Sequence, residues 1–163
     1  MDFKIRKGKI TDMPAVLELI QELAHFEKEP DAVEVTVADL EKDGFGDSPL
    51  FKTFVAELDN EIVGMALFYP RYSTWKGPTI HLEDLIVKKN KRGLNIGRAL
   101  YTKVIEFGYK KGVKRIEWVV LDWNTPAIEF YKKTGAIVLD DWNTAQIEEQ
   151  AIKKYLETTN ENF

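Results

Sequence analysis

One mixed α/β domain is predicted for this 163-residue chain by three observations. Apolar residues recur at helical spacing around residues 16–24 and 96–107. Short β-rich runs lie between and after these stretches. Turn and cap residues separate the elements in the order β-α-α-β-β-β-α-β-α-β. The length is enough for one domain to close a hydrophobic core without cross-links.

Phe3–Arg6 alternates apolar and basic residues and predicts a first strand. Thr11 or Asp12 caps a helix with Pro14 in its first turn, where a missing N–H costs nothing. Val16, Leu17, Ile20, Leu23 and Ala24 carry it to about Phe26. A second, acidic helix is expected over Val37–Asp43, ending at Gly44. Thr53–Leu58 and Ile62–Tyr69 read as strands joined by the turn pair Asp59-Asn60. Arg71–Pro78 reads as a loop, Thr79–Val87 as a long strand and Lys88–Gly97 as a loop. Ile96, Ala99, Leu100, Val104 and Phe107 form one face of a helix ending near Gly112. Arg115–Leu121 reads as a strand. Asn124 or Thr125 caps another helix, with Pro126 in its first turn and Gly135 at its end. A last strand is expected at Trp142–Ile147, then a polar, fraying tail at Lys153–Phe163.

Composition narrows the function. Without cysteine there is no disulfide framework, thiolate metal site or cysteine nucleophile. With only two histidines, no metal centre is expected. Apolar runs are too short to span a membrane, and the opening MDFKIRKGKI lacks the apolar core of a signal peptide, so a cytoplasmic protein is expected. A formal net charge of -4 argues against nucleic acid as a partner. That charge is unevenly placed. Residues 1–60 hold 14 acids against 7 bases, and residues 61–163 hold 13 against 16. Glu22–Asp47 contains nine acids opposed only by Lys28 and Lys42, whereas Lys88, Lys89, Lys91 and Arg92 form a basic knot. Two ligands of opposite charge are one reading; solvated faces are the plain alternative.

The segment Val87-Lys-Lys-Asn-Lys-Arg-Gly-Leu-Asn-Ile-Gly-Arg98 leaves a strand and opens a helix. The first backbone N–H groups of a helix have no intrahelical partner and favour an anion, and glycines allow a close approach. A pyrophosphate suits such a loop. The G-x-G-x-x-G order and the parallel βαβ context of a dinucleotide site are both read as missing.

Arg92-Gly-Leu-Asn-Ile-Gly97 resembles the acyl-CoA loop Arg/Gln-x-x-Gly-x-Gly/Ala of the GNAT superfamily of N-acyltransferases, with Asn95 replacing the central glycine. Asn tolerates left-handed backbone angles better than most residues. Glu22-Leu-Ala-His-Phe-Glu-Lys28, Asp43-Gly-Phe-Gly-Asp47, Tyr72-Ser-Thr-Trp-Lys-Gly77, His81-Leu-Glu-Asp84, Val120-Leu-Asp-Trp-Asn124 and Phe130-Tyr-Lys-Lys-Thr-Gly-Ala136 follow in order. Together they resemble the diamine acetyltransferase group over roughly residues 3–147. The Tyr72–Gly77 and Leu121–Asn124 blocks are closer to its thialysine branch than to its spermidine/spermine branch, and Ser73 stands where polyamine enzymes place an aspartate.

This resemblance implies a mixed, mostly antiparallel central sheet flanked by helices, with acetyl-CoA as co-substrate. It also implies a small cationic amine as acceptor and a homodimer. Direct attack of the amine in a ternary complex fits the missing cysteine. An ordinary alkylammonium, with a pKa near ~10, must first lose a proton. By resemblance Glu83 serves that step through water, and Tyr131 protonates the leaving thiolate. On a regular strand Glu83 and Asp84 point to opposite faces and form no carboxylate pair. Coenzyme contacts are implied for the backbone of Leu85, Ile86 and Val87 and for the loop Arg92, Gly93, Leu94, Asn95, Ile96, Gly97 and Arg98. The helix start Asn124, Thr125, Pro126 and Ala127, together with Tyr131, completes that set. Substrate contacts fall to Phe26, Glu27, Glu83, Glu117, Trp118 and Val119. Glu27 ends an apolar helix within the acidic stretch. His81 is read as packing or bonding locally, and Trp75 and Trp142 as core or interface aromatics. A polyamine acetyltransferase and a coenzyme-binding module without turnover are the alternatives.

Overall fold

Asp59 and Asn60 both adopt left-handed backbone angles, φ 52° and 64°, so their two-residue turn follows the twist of the strands that it joins. It connects β2 (Lys52–Leu58) to β3 (Glu61–Ser73). β1 (Lys4–Lys7) pairs antiparallel with β2, and β4 (Gly77–Val87) pairs antiparallel with β3. β5 (Ile116–Glu117) runs parallel to β4, giving the order β1-β2-β3-β4-β5. The computed structural model describes residues 2–159. Two compact units divide after Leu121, and the sheet lies wholly in the first.

Alternation along the strands gives the sheet two apolar faces. On one, Val55, Met65, Leu67 and Ile86 are buried with Met13, Val16 and Leu19 of α1 (Met13–Phe26) and Leu40 of α2 (Val37–Phe45). On the other, Phe68 stacks with Phe54 at 5.3 Å and meets Phe107 edge-on at 5.1 Å. Phe107 belongs to α3 (Ile96–Lys111), whose Leu100 and Val104 are also buried. Each fully buried side chain of this kind contributes about 1.5–3 kcal/mol. Gly108 lets α3 lie close to β5, since a Cβ there would stand 2.5 Å from Ile116 Cδ1.

The start of α1 is tied to the sheet by charge. Arg6 on β1 donates to Asp12 through Nη1 and Nη2 at 2.6 and 2.9 Å, and to Glu57 through Nε at 2.7 Å. Asp12 also accepts from the Lys9 N–H at 2.7 Å. The Arg6 hydrogen bonds hold this buried carboxyl below its ordinary range, against the opposing effect of burial.

Several expected boundaries move. The Arg71–Pro78 loop shrinks to 74–76, because Arg71, Tyr72 and Ser73 pair with Thr79, Pro78 and Gly77. Ser73 Oγ closes the turn by accepting from the N–H groups of Trp75 and Lys76, both at 3.2 Å. Pro78 is tolerated at the strand's beginning, where no run of ladder bonds depends on its missing N–H. α2 runs past Gly44 to Phe45. The strand expected over Arg115–Leu121 keeps only Ile116 and Glu117 in the ladder. The loop before α3 does lie between parallel strands, so the parallel βαβ context read as missing is present over two residue pairs.

In the second unit, α4 (Thr125–Lys133) has Asn124 at its N-cap and Pro126 in its first turn. Residues 142–147 form no strand, having no ladder partner among the described residues. The tail expected to fray forms α5 (Glu149–Thr159). Ile152, Tyr155 and Leu156 stand at helical spacing there, and Lys153 pairs with Glu149 one turn away. The end of the expected tail, residues 160–163, lies outside the described residues.

Candidate active site

The site forms where β4 departs from regular pairing. Leu67 pairs with Asp84 and Phe68 with Leu82, so Glu83 is an extra residue, a β-bulge. A bulge shifts the side-chain parity of its strand. Asp84 opposite Leu67 and His81 opposite Tyr69 therefore share one face, since Leu67 and Tyr69 are two residues apart on β3. Glu83 joins them, because its Oε2 accepts from Tyr69 Oη at 2.7 Å. The expected separation of Glu83 and Asp84 onto opposite faces is thus overturned, for the physical reason that the strand is not regular at this point.

His81 Nε2 stands 3.5 Å from the same Glu83 oxygen, and its ring lies 5.2 Å from that of Tyr69. Its Nδ1 is 3.5 Å from Arg71 Nη1. Because a guanidinium only donates, Nδ1 accepts and the Nε2–H tautomer faces Glu83. His81 bonds locally, as the sequence reading held. Tyr69 and His81 both engage Oε2, and Oε1 has no hydrogen-bond partner among the described residues. Burial, then the Glu83 hydrogen bond, pushes the Tyr69 phenol up to about 12, so it remains a donor through the neutral and alkaline range.

Behind Glu83 lies more negative charge. Burial pushes the Asp84 carboxyl up to about 7, with repulsion from Glu83 and then Glu27 adding to it. Glu27, the residue that caps the C-terminus of α1, is itself raised by desolvation. Glu83 and Glu27 thus both repel the Asp84 carboxylate, and a cation close to it relieves that repulsion.

Beyond the bulge, β4 has an open edge. β5 pairs with it at Ile80 and His81 alone, because a bulged strand bends away from a straight neighbour. Along Leu85, Ile86 and Val87, alternate backbone groups directed away from β3 meet no strand among the described residues. An extended amide-bearing chain can pair with such an edge as an added strand does. The Val87 carbonyl accepts from Arg92 Nε at 3.1 Å.

That arginine belongs to the loop opening α3. Gly93 has φ +84° and Asn95 has φ 62°, ψ 10°, the left-handed backbone that the asparagine was expected to tolerate. Asn95 makes no side-chain cap bond. The N–H groups of Ile96, Gly97 and Arg98 therefore begin the helix without a side-chain acceptor from its cap. Leu94 and Arg98 are exposed. The basic knot beside the loop is partly engaged within the fold: Lys88 Nζ pairs with Glu61 at 2.6 Å, and the Lys89 N–H donates to Glu22 Oε1 at 2.8 Å. The Arg92 guanidinium lies 5.5 Å from the centre of the Phe26 ring, linking the end of α1 to this loop.

In the second unit, Asn124 Oδ1 accepts from the Ala127 N–H at 3.4 Å, the helix-cap role. Thr125 and Pro126 are exposed in the first turn. The Tyr131 side chain is buried, its ring 5.4 Å from that of Phe130. Its carbonyl accepts from the Thr134 hydroxyl at 2.7 Å and from the N–H groups of Thr134 and Ala136.

Some expected residues are otherwise occupied. Glu117 lies between two arginines, 2.5 Å from Arg71 Nη1 and 2.6 Å from Arg115 Nε, so its charge is already compensated. Trp118 packs edge-on against Tyr101 at 5.6 Å, and Val119 is exposed. Trp75 and Trp142 are 77% and 68% exposed, which removes the core reading of both. Sequence reasoning missed Tyr69 and Arg71 as members of the site. Their only signal was an i, i+2 spacing within a run whose second half was read as loop.

Comparison with known proteins identifies the family. The acetyltransferase (GNAT) family profile matches residues 13–136. The thialysine N-epsilon-acetyltransferase of Bos taurus is 38% identical over 161 residues, covering 92% of this chain and 95% of that protein. Among solved structures, an integron cassette protein from the mobile metagenome of V. cholerae superposes with a TM-score of 0.78 at 20% identity, over 96% of this chain and 99% of that one. The aminoglycoside N-acetyltransferase AAC(6')-Iy in complex with CoA gives a TM-score of 0.71 at 17% identity, over 90% of this chain and 95% of that one. With the family profile spanning most of its length and a relative this similar end to end, the chain belongs to the acetyltransferase (GNAT) family.

Proposed function

We propose that this acetyltransferase moves an acetyl group from acetyl-CoA to the terminal primary amine of a small cationic molecule, a thialysine- or lysine-like amino acid or a short diamine. The carrying observation is the bulge. It sets the Glu83 carboxylate beside an unpaired strand edge and on one face with Asp84, whose repulsion by Glu83 and Glu27 an ammonium relieves. The Bos taurus relative, named for acetylation of thialysine, supports the same substrate class.

The residues present fit acetyl-CoA. The left-handed turns at Gly93 and Asn95 present the N–H groups of Ile96, Gly97 and Arg98 to phosphate, with the Arg98 side chain exposed beside them. The edge at Leu85, Ile86 and Val87 suits the amide-bearing arm. The co-substrate supplies an activated acetyl thioester. Glu83 takes a proton from the ammonium, directly or through one water, using Oε1 while Tyr69 and His81 hold Oε2. The Val87 N–H, directed away from β3, is the donor toward the carbonyl oxygen of the acetyl group, because the Ile86 N–H faces Met65 in the ladder. Tyr131 supplies the proton that the departing thiolate takes up, a role carried by the Phe130–Ala136 motif.

Residues 1–163 act as one acetyltransferase domain in this reading, cytoplasmic and homodimeric. Exposure of Ile137, Leu139, Trp142, Ile147, Tyr155 and Leu156 supports an interface with a second copy. No helix among the described residues is long and apolar enough to cross a membrane.

The test is an amine panel at fixed acetyl-CoA, read by mass spectrometry to locate the acetyl group. Thialysine, lysine, ornithine and short diamines should be acetylated at a terminal amine. A strong preference for spermidine over thialysine would reverse the substrate order. Acetyl-CoA binding with no amine acetylated would leave a coenzyme-binding module.

A further inference from the structure

The Glu83 cluster has a cationic neighbour. Arg71 stands two residues beyond Tyr69 on β3, so its side chain leaves the sheet on the same face as the Glu83 cluster. The order along this face is Arg71, His81, Glu83, with 3.5 Å contacts on either side of the imidazole. Arg71 shares Glu117 with Arg115. One carboxylate between two guanidiniums leaves that trio with an excess positive charge. The Arg71 side chain is 53% exposed, and Nη1 makes its contacts to Glu117 and His81. Nε and Nη2 remain as a donor pair in the fork geometry that suits a carboxylate. The acidic and cationic ends of the site are thus separated by about the width of one imidazole and its contacts, a span that a short aliphatic chain bridges.

We propose that Arg71, backed by Glu117 and Arg115, recognises the carboxylate of the acceptor, so that the site selects a basic amino acid over the corresponding plain diamine. This rests on the acetyltransferase reading above and names the substrate class within it. The ammonium to be acetylated lies against Glu83, and the carboxylate lies on the guanidinium. Arg71 also acts by exclusion. A diamine or polyamine laid along the same line brings a second ammonium toward an existing cation, and the like-charge contact weakens its binding. Glu117 positions the guanidinium, a role consistent with its compensated charge.

The test uses the full chain with acetyl-CoA and a matched pair of acceptors: thialysine and its decarboxylated counterpart, bis(2-aminoethyl) sulfide. Wild-type kcat/KM should favour thialysine. In Arg71→Met the ratio of the two kcat/KM values should fall roughly 10- to 100-fold, the range for a hydrogen bond to a charged group, and Arg71→Lys should keep part of the preference. A second measurement needs no variant. Thialysine carboxamide, in which the carboxylate is neutralised, should show a raised KM with the wild type. Equal use of both acceptors by the wild type, or an Arg71→Met ratio unchanged because both rates fall together, would overturn the proposal. If the wild type acetylates neither acceptor, the acetyltransfer reading fails and takes this proposal with it.

Discussion

Tyr69 Oη donates to Glu83 Oε2 across the bulge of β4, at 2.7 Å. The extra residue of one strand is thereby held by a side chain of its neighbour, and the carboxylate is left with a single unengaged oxygen. If Glu83 is the base, Glu83→Gln should lower kcat/KM about 100-fold or more near neutral pH. Part of the activity should return at alkaline pH, where the acceptor amine, with a pKa near ~10, loses its proton to solvent. Tyr69→Phe keeps the base but frees its orientation, and should lower kcat roughly tenfold with little change in acetyl-CoA affinity. Steady-state kinetics from neutral to alkaline pH check both. A Glu83→Gln profile parallel to the wild type would remove its role as base.

Asp84 makes a prediction of opposite sign for stability and for binding. Its carboxyl is raised from 3.8 to about 7, first by burial and then by repulsion from Glu83 and Glu27. The folded state therefore binds a proton that the unfolded chain has already released above about pH 4. Stability is fully present below the unfolded value and declines as pH rises through about 7, by at most about 4 kcal/mol. Asp84→Asn should thus resist denaturant better than the wild type at pH 8 and equal it at pH 4. The same substitution should raise KM for the cationic acceptor at pH 8, because the charge that destabilises the fold also attracts the ammonium. Denaturant unfolding at the two pH values, with KM measured at pH 8, tests both halves. A variant no more stable at pH 8 would show that Asp84 is not held protonated by its surroundings.

These residues show where sequence reading succeeds and where it stops. The helices α1, α3 and α4 were legible because caps and apolar spacing are local signals: Asp12 and Asn124 stand at the N-caps of α1 and α4, and Ile96, Leu100 and Val104 are buried along α3. The Asp59-Asn60 turn was legible for the same reason. The bulge was not, because nothing in His81-Leu-Glu-Asp84 distinguishes a strand that slips by one residue from one that does not. With it went the shared face of Glu83 and Asp84 and the short extent of β5. Arg71 was lost because Gly77 and Pro78 made a hairpin arm resemble a loop. α5 was lost because its polar composition masked the spacing of Ile152, Tyr155 and Leu156.

Tyr131 is buried within α4, and its motif implies that it protonates the departing thiolate. Tyr131→Phe removes only the hydroxyl and keeps the ring that packs against Phe130. Turnover should therefore fall by about 100-fold or more, within the range for a general acid, while acetyl-CoA affinity stays close to the wild type. Single-turnover kinetics and calorimetric titration separate these readouts. An undiminished single-turnover rate would transfer the acid role to another group or to water.

Asn95 tests the coenzyme loop through its backbone. Its φ of 62° and ψ of 10° set the N–H groups that open α3, and its side chain makes no cap bond. What matters at this position is the ability to occupy a left-handed conformation, which costs most L-residues roughly 1–2 kcal/mol and glycine very little. Asn95→Val places a β-branched side chain there, where the strain is greater still. The loop should then relax toward ordinary angles and turn the N–H groups of Ile96, Gly97 and Arg98 out of alignment. The dissociation constant for acetyl-CoA should rise about tenfold. Asn95→Gly should bind acetyl-CoA as tightly as the wild type or more so, since it removes the backbone cost and no side-chain hydrogen bond. Calorimetric titration of the two variants decides between backbone and side-chain roles. Equal weakening in both would mean that the Asn95 amide itself contacts the ligand, whereas an unaffected Asn95→Val would detach this loop from coenzyme binding altogether.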